Sequence, residues 1–311
     1  MRLVSFVRAG VTRAGAIVDD CVVDLAAAYA AIPCNQREGS GDLPTDTMAL
    51  LAQGDLGLAG AAQVARLAIA SHARGEHSSA LDGSPVCFPL SSVQLTAPVP
   101  RPAKIICLGL NYADHAAETG HPRPTTPILF PKFANTIIGP GEPIVLPRET
   151  TQPDYEVELA FVIGKRARNV PIERAYEYVA GYMILNDVSA RDLQMETSQW
   201  LRGKTPDTFA PTGPWLATRD EIPNPQTLDV RSYVNGELRQ NSNTAQLIFD
   251  VPFLVHHISK TITLLPGDIV STGTPSGVGM AFKPPKFLKP GDVVRLEITG
   301  LGVLENPVVA E

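Results

Sequence analysis

Two acidic residues in the stretch 154–164 (DYEVELAFVIG) are the first candidates for chemistry. The alternation of this run predicts a β-strand, in which Glu156 and Glu158 share one face with Ala160 and Val162. Along a strand the two carboxylates lie about 6–7 Å apart. Like charges that are close and partly buried need a cation or a proton between them. The alternative is an edge strand that presents both acids to water.

A third acid, Asp187, follows the apolar run 182–185 (YMIL) and comes directly before a turn. Alternatively, Asn186-Asp187 caps a helix that starts near Ser189. Three carboxylates without a thiolate cluster suit a hard ion that prefers oxygen ligands. The sequence therefore indicates Glu156, Glu158 and Asp187 as candidate ligands of Mg²⁺ or Mn²⁺, with Ca²⁺ also compatible.

An imidazole and a carboxylate lie three residues apart in the stretch 111–120 (NYADHAAETG), which predicts a short helical turn ended by Gly120. At that spacing His115 and Glu118 share a face. A neighbouring carboxylate orients an imidazole and raises its basicity, so the pair can deprotonate water. The alternative is an exposed histidine and glutamate on a solvated turn.

The composition limits the classes of protein to which this chain can belong. Of its 311 residues, 44% are hydrophobic and 19% are charged, which excludes wholesale disorder. The net charge of −6 argues against nucleic-acid and anionic-membrane partners. Four scattered cysteines, no signal-peptide pattern and no apolar run of about 18 residues lead us to expect a reduced, cytoplasmic protein.

The elements that must position these residues belong to an α+β, β-rich chain, because 28 prolines and 25 glycines favour short strands and tight turns. Residues 1–95 predict a small α+β N-terminal domain, and the proline-rich stretch 96–102 (TAPVPRP) predicts a linker. Residues 96–311 predict a β-rich domain of rolled or barrel-like sheets. In this part, Asn235-Gly236 predicts a hairpin turn, and the stretch 172–180 predicts a helix.

Six stretches of the second part together resemble the fumarylacetoacetate hydrolase superfamily. They are NYADHAAE, DYEVELAFVIGKRARNV, GYMILNDVSARDLQ, GKTPDTFAPTGPW, VNGELRQNSNT and GDIVSTGTPSGVG. Any one of these motifs is a weak signal, whereas six in this order are specific. The resemblance runs from Lys104 to Val308, and the chain looks like a bacterial acylpyruvate or fumarylpyruvate hydrolase-like member.

The resemblance implies a β-rich catalytic domain, a homodimer and one Mg²⁺ or Mn²⁺ ion per chain. It implies the following site residues: Glu156, Glu158 and Asp187 as metal ligands, His115 as general base with Glu118 as its partner, Lys204 as a catalytic lysine, and Arg191, Gln194 and Thr274 as substrate-binding residues.

The reaction that the resemblance implies is metal-dependent hydrolysis of the carbon–carbon bond of an acylpyruvate-type 2,4-dioxo acid, in the catabolism of aromatic compounds or sugar acids. The ion would act as a Lewis acid, His115 would activate water, and Lys204 and Arg191 would stabilise negative charge. The same residues support two alternatives, decarboxylation of oxaloacetate and isomerisation of unsaturated 2-oxo diacids. We place hydrolysis first because the His115–Glu118 pair suits water activation.

A non-enzymatic scaffold that retains an enzyme fold is the alternative from a different class. Three carboxylates without a cation would destabilise such a fold, which argues against this interpretation. The sequence does not identify the acyl group of the substrate, and the homodimer rests on the resemblance alone.

Overall fold

A computed structural model describes residues 1–39, 41–74, 79–81 and 83–311. The first part of the chain forms strands and helices that alternate in short order. Its elements are β1 (Arg2–Arg8), β2 (Val11–Val18), β3 (Cys21–Asp24), α1 (Leu25–Ala31), α2 (Thr47–Ala52), α3 (Asp55–Ala73), β4 (Cys87–Pro89) and β5 (Gln94–Thr96). Asp24 begins α1 because its side chain accepts a hydrogen bond from the backbone N–H of Ala27.

The second part is dominated by strands. Its elements are β6 (Ile105–Gly109), α4 (Ala113–Glu118), β7 (Ile128–Lys132), β8 (Ile137–Ile138), β9 (Ile144–Leu146), β10 (Pro153–Asp154), β11 (Val157–Ile163), β12 (Val179–Asn186), β13 (Ser189–Ala190), α5 (Arg191–Met195), α6 (Leu201–Lys204), β14 (Ala210–Thr218), β15 (Asp229–Val234), β16 (Glu237–Asn243), α7 (Val251–Ser259), β17 (Ile269–Ser271), β18 (Val293–Ile298) and β19 (Gly302–Ala310).

Most of these strands join one twelve-stranded sheet in the order β4-β3-β2-β1-β14-β12-β11-β17-β6-β7, with β5 on β1 and β8 on β14. Its pairs are antiparallel except β17 with β6 and β14 with β8. A second sheet has the order β16-β15-β18-β19-β9, and β10 pairs with β13. No sheet closes on itself among the described residues, so the α+β, strand-rich class is confirmed and the sheets are open rather than barrels.

The interior strand β11 separates two hydrophobic cores, and all seven of its residues are buried. Leu159 and Phe161 face one core, which the second sheet and α7 cover. Ala160 and Val162 face the other core, which includes Leu50 and other apolar residues from the first part of the chain. Glu158 shares the Ala160 face by strand alternation, so this acid lies at the end of a fully apolar row.

Backbone hydrogen bonds join the first part of the chain to the second part within one sheet. Strand β1 pairs with β14 through Leu3 opposite Leu216. The proline-rich segment packs against β1, since Val99 is buried and the Ser5 hydroxyl donates to the Pro98 carbonyl at 3.2 Å. The division into domains at 95/96 stays a prediction.

Two local predictions have clear outcomes. The hairpin of β15 and β16 forms, with both Asn235 and Gly236 at positive φ as a type I′ turn requires. The segment predicted as a helix at 172–180 forms a 3₁₀ helix over Ile172–Tyr178, and its last two residues begin β12 instead. Those two residues extend the apolar strand, whose burial overrides the local helical pattern.

Candidate active site

The three acidic residues converge where β11 begins and β12 ends. The antiparallel pair places Val157 opposite Asn186, and the Asp187 N–H donates to the Glu156 carbonyl at 2.9 Å. One carboxylate oxygen from each of Glu156, Glu158 and Asp187 lies within 4.8 Å of the other two, and all three residues are buried. This is the convergence that the sequence predicted.

The two alternative interpretations of these acids are wrong. Strand β11 lies between β12 and β17 and is not an edge strand, so Glu156 and Glu158 do not face bulk water. Ser189 belongs to β13, and α5 begins after it with Ala190 in the capping position and no side-chain cap. Asp187 accepts hydrogen bonds from two buried lysines instead.

Lys204 joins two of the acids. Its ammonium group lies 2.8 Å from a Glu156 oxygen and 2.7 Å from an Asp187 oxygen. Arg191 binds the other oxygen of Glu156 at 2.6 Å. Burial would raise the pKa of Glu156, but Lys204 and Arg191 hold that pKa well below its usual range. Glu156 is therefore ionised in spite of its burial.

A second buried lysine, Lys132, completes the set of cations and was not predicted. It ends β7 and donates to the other oxygen of Asp187 at 2.6 Å and to the Val188 carbonyl at 3.0 Å. Burial lowers the pKa of Lys132, an effect that the Asp187 carboxylate opposes. The available signal was a lysine at the end of the apolar run 127–132 (PILFPK), where a side chain turned inward needs an acidic partner.

Glu158 differs from its two neighbours because it forms no ion pair. It is 1% exposed, and it accepts hydrogen bonds from the Ser271 hydroxyl and from the Gly273 N–H at 3.0 Å. Within the described ranges, no lysine or arginine forms an ion pair with it. Burial and the negative charges of Asp187 and Glu156 raise the pKa of Glu158 well above its usual range.

This donor set fits a divalent cation. Carboxylate oxygens that converge at short range are the ligands that Mg²⁺ and Mn²⁺ prefer. The ion would also neutralise Glu158, the one carboxylate of the group that the lysines and Arg191 leave unpaired. The residues present therefore fit the predicted cofactor class, while the particular ion is not fixed by the donor set.

The predicted substrate-binding residues lie around the acids. Arg191 and Gln194 both belong to α5 and are joined by a hydrogen bond of 3.1 Å from the guanidinium to the amide oxygen. Asp154, which the sequence analysis did not single out, anchors Arg191 at 2.9 Å and accepts the N–H of Gly279 at 2.6 Å. The carboxylates of Glu156 and Asp154 raise the pKa of Arg191 in spite of burial.

Thr274 is the third predicted substrate-binding residue, and backbone and amide groups set its orientation. Its hydroxyl donates to the Val157 carbonyl at 3.0 Å and accepts from the Gln240 amide at 2.8 Å. Gln240 was also not predicted; its amide oxygen accepts the Val157 N–H at 3.0 Å. Gln240 thus connects β16 to the first residue of β11.

The predicted histidine–glutamate pair forms on α4. His115 Nδ1 lies 3.3 Å from Glu118 Oε2, and the Gly277 N–H donates to the Glu118 carboxylate at 2.9 Å. His115 is buried and faces the cavity, whereas Glu118 stands behind it with a side chain that is 25% exposed. The pair is therefore held against a second loop and is not a freely solvated turn.

Most of the predicted site residues line one cavity of about 610 Å³, a volume that includes its open mouth. Asp187 and Glu118 are outside this lining and are hydrogen-bonded to two residues within it, Lys204 and His115 respectively. The other predicted site residues line the cavity: His115, Glu156, Glu158, Arg191, Gln194, Lys204 and Thr274.

Residues 104–309 match the family model described as fumarylacetoacetate (FAA) hydrolase C-terminal, which covers about two-thirds of the chain. The chain belongs to the fumarylacetoacetate hydrolase family. The predicted resemblance is thereby confirmed. Members of this family are enzymes, which supports an enzymatic function over a scaffold.

Relatives of this family member include the mitochondrial oxaloacetate tautomerase fahd2 of Xenopus laevis, which is 52% identical over 233 residues, 74% of this chain and 73% of that protein. The fumarylacetoacetate hydrolase of Exiguobacterium antarcticum is similar in structure, with 35% identity and a TM-score of 0.78 over the whole of both chains. Maleylpyruvate hydrolase of Sphingobium sp. SYK-6, solved with manganese(II) and pyruvate, has 32% identity and a TM-score of 0.74 over 100% of this chain and 99% of that one.

None of the helices in the described ranges has the length and apolar character that a membrane crossing requires. The cytoplasmic location and the homodimer stay predictions.

Proposed function

We propose that this family member is an oxaloacetate tautomerase, which interconverts the enol and keto forms of a 2-oxo dicarboxylate. The observation that carries the proposal is the 52% identity to a protein of that name. Hydrolysis, which was the first expectation from the sequence, is thereby replaced by a reaction of the alternative class. In that class, water does not attack the substrate. The cavity supports the choice because it combines carboxylates, cations and a proton-transfer pair.

We propose Glu156, Glu158 and Asp187 as the ligands of one Mg²⁺ or Mn²⁺ ion. When bound, the ion would supply a Lewis acid that polarises the 2-oxo group and stabilises negative charge on its oxygen. Lys204 would fix the ligand oxygens of Glu156 and Asp187, to which it is already hydrogen-bonded. Its positive charge would favour negative charge developing nearby.

Arg191 and Gln194 would bind the substrate carboxylate. Arg191 donates to the amide oxygen of Gln194, so the amide NH₂ of Gln194 remains as the donor for a substrate oxygen. Arg191 is itself fixed by Asp154 and Glu156. Such fixed donors reduce the reorganisation needed when charge moves onto the substrate.

His115 would carry the proton between C3 and the 2-oxo oxygen. Its Nδ1 faces Glu118, which leaves Nε2 for the substrate. Glu118 is in turn held by the Gly277 N–H. A positioned acid–base group of this kind contributes about 10²–10⁴-fold in rate.

The test follows the ultraviolet absorbance of enol-oxaloacetate in the presence of Mn²⁺ or Mg²⁺, against buffer alone. Pyruvate formation from oxaloacetate and cleavage of acetylpyruvate and maleylpyruvate are measured beside it. We expect the enol to disappear much faster than in buffer, without matching formation of pyruvate. Enol decay at the buffer rate, with pyruvate released from either class of substrate, would contradict the proposal.

Hydrolysis of an acylpyruvate is the second candidate. It is supported by the pairing of His115 with Glu118, which suits water activation, and by the likeness over the whole chain to a maleylpyruvate hydrolase. The same assay separates the two candidates, because only hydrolysis consumes the diketo absorbance and yields pyruvate together with a second acid.

A further inference from the structure

The cavity has a polar floor and an apolar mouth. The floor contains the carboxylates, the cations and the threonine described above. Five apolar residues of its lining, here called the mouth, are Leu110, Phe130, Met195, Trp200 and Met280. Phe130 joins the two parts, since the Lys204 ammonium lies 4.9 Å from the centre of its ring. Among the lining residues of the described chain, His121 is the ionisable side chain that lies outside the floor and outside the His115–Glu118 pair.

The aromatic side of the mouth is held rigidly. A Cβ on Gly109 would lie 2.7 Å from the indole of Trp200, so the ring packs directly on the backbone of β6. Phe130 meets the same indole edge to face, with 5.3 Å between ring centres. The absence of a side chain at Gly109 thus makes room for a fixed aromatic wall.

The two methionines of the mouth are exposed to solvent. Met195 is 58% exposed and Met280 is 36% exposed. Large apolar side chains exposed in a cleft are stabilised when an apolar ligand group removes them from water. Methionine is well suited to contact flat rings because its thioether is polarisable and its side chain is flexible.

Oxaloacetate leaves this mouth unused. Its four carbons and two carboxylates match the charged floor, and its second carboxylate gains nothing from an indole and two thioethers. A 2-oxo acid with the same reacting end and a flat apolar group on C3 would fill both parts of the cavity. The first carboxylate and the 2-oxo group would lie on the floor, and the ring would contact the apolar side chains of the mouth.

We propose that the site also accepts arylpyruvates and interconverts their enol and keto forms. This inference rests on the proposed function, because it uses the same proton transfer on a different substrate class. From the keto form, a proton leaves C3 and the 2-oxo oxygen gains one, while the C2–C3 bond becomes double. No oxidation, reduction or loss of a group takes place.

The test measures the tautomerisation of phenylpyruvate and of oxaloacetate by the Mn²⁺-loaded protein, and the binding of phenylpyruvate by calorimetry.

The double variant Met195→Ser with Met280→Ser removes the apolar surface of the mouth. The matched control is Leu238→Ser, since Leu238 is a similarly exposed apolar residue on β16 that does not line the cavity. We expect turnover of phenylpyruvate by the natural protein, and a fall of about tenfold in the phenylpyruvate-to-oxaloacetate ratio of kcat/KM in the double variant. We expect phenylpyruvate affinity to fall with it, and no change of the ratio in the control.

The outcomes separate this inference from the proposed function. Turnover of oxaloacetate without turnover of phenylpyruvate overturns the inference and leaves the proposed function in place. Turnover of phenylpyruvate alone overturns the proposed function and supports the apolar mouth. Turnover of both with an unchanged ratio in the double variant overturns the assignment of the mouth, and turnover of neither overturns both.

Discussion

The floor and the mouth of the cavity are built by opposite means. On the floor, Glu156 and Asp187 are buried and each binds two cationic groups. At the mouth, the side chains of Met195 and Met280 are exposed, and the Met280 backbone N–H donates to Asp154 at 3.1 Å. This difference indicates that the proposed reaction depends on a buried network of ion pairs, in which each group fixes the position of its neighbours. The proposed substrate range depends on exposed side chains, whose replacement leaves the ion pairs of that network in place.

Within the floor, Glu158 shows why a divalent ion belongs there. Glu156, Asp187 and Asp154 are balanced by Lys132, Lys204 and Arg191 through the ion pairs described above. Glu158 is buried beside them with hydrogen-bond donors alone. Two positive charges from an ion would neutralise Glu158 and leave a net charge that suits an anionic substrate.

The largest effect is expected from Asp187→Ala, because it leaves Lys132 and Lys204 buried without one of their partners. Removing one member of a buried ion pair costs about 3–5 kcal/mol, so the free energy of unfolding should fall by that amount. Denaturant unfolding measures it. The exposed acid Glu149 provides the control, since Glu149→Ala should change stability by less than about 0.5 kcal/mol. Equal effects of the two substitutions would show that the floor is not a coupled charge network.

The next largest effect is expected from His115→Ala, which removes the proposed proton carrier and leaves the carboxylates in place. We expect kcat for oxaloacetate tautomerisation to fall about 10²–10⁴-fold. The stabilisation of the protein by Mn²⁺ should remain. A control is His256→Ala, since His256 lies on α7, contacts the Val170 carbonyl and does not line the cavity. Loss of Mn²⁺ stabilisation together with activity would mean that His115 supports the fold of the floor rather than the proton transfer.

A smaller effect on the stability of the protein is expected when Mn²⁺ is added. A ligand that binds only the folded state at about 100 times its dissociation constant raises stability by about 2.7 kcal/mol. The melting midpoint should therefore rise when Mn²⁺ is added and fall again with EDTA. An unchanged melting midpoint at saturating Mn²⁺ would contradict the proposal that a divalent ion binds the carboxylates of the floor.

The smallest effect is expected at the mouth. Met195→Ala shortens an exposed side chain, so the free energy of unfolding should change by less than about 0.5 kcal/mol. The same denaturant measurement as for Asp187→Ala gives the contrast directly. A loss comparable to that of Asp187→Ala would show that the mouth is part of the structural network.

The sequence predicts the acids well because their pattern is local. Glu156 directly precedes β11, Glu158 lies on it, and Asp187 directly follows the strand that pairs with it, so strand alternation and a turn are sufficient. Lys132 and Asp154 were missed because each acts on a residue far along the chain, 55 positions from Asp187 and 37 from Arg191. No periodicity in a single sequence reveals such a partner.

Long-range pairing also limits what the sequence says about the fold. The strands of the first part were expected, whereas their place in the same sheet as β14 depends on contacts more than 200 residues apart. The helix expected at 172–180 shows the related limit, because burial of β12 decided where the strand begins. The proposed substrate range depends on the mouth, whose residues are spread along the chain from Leu110 to Met280 and share no motif.

The most direct test of the central claim, that the three carboxylates hold a divalent ion, is a calorimetric titration with Mn²⁺. The account predicts about one ion per chain in the natural protein and an affinity at least tenfold lower in Glu158→Gln, which keeps the size of the side chain and removes its charge. Glu149→Gln on the surface should bind as the natural protein does. Binding of Mn²⁺ by Glu158→Gln with unchanged affinity, or no binding by the natural protein, would contradict the account.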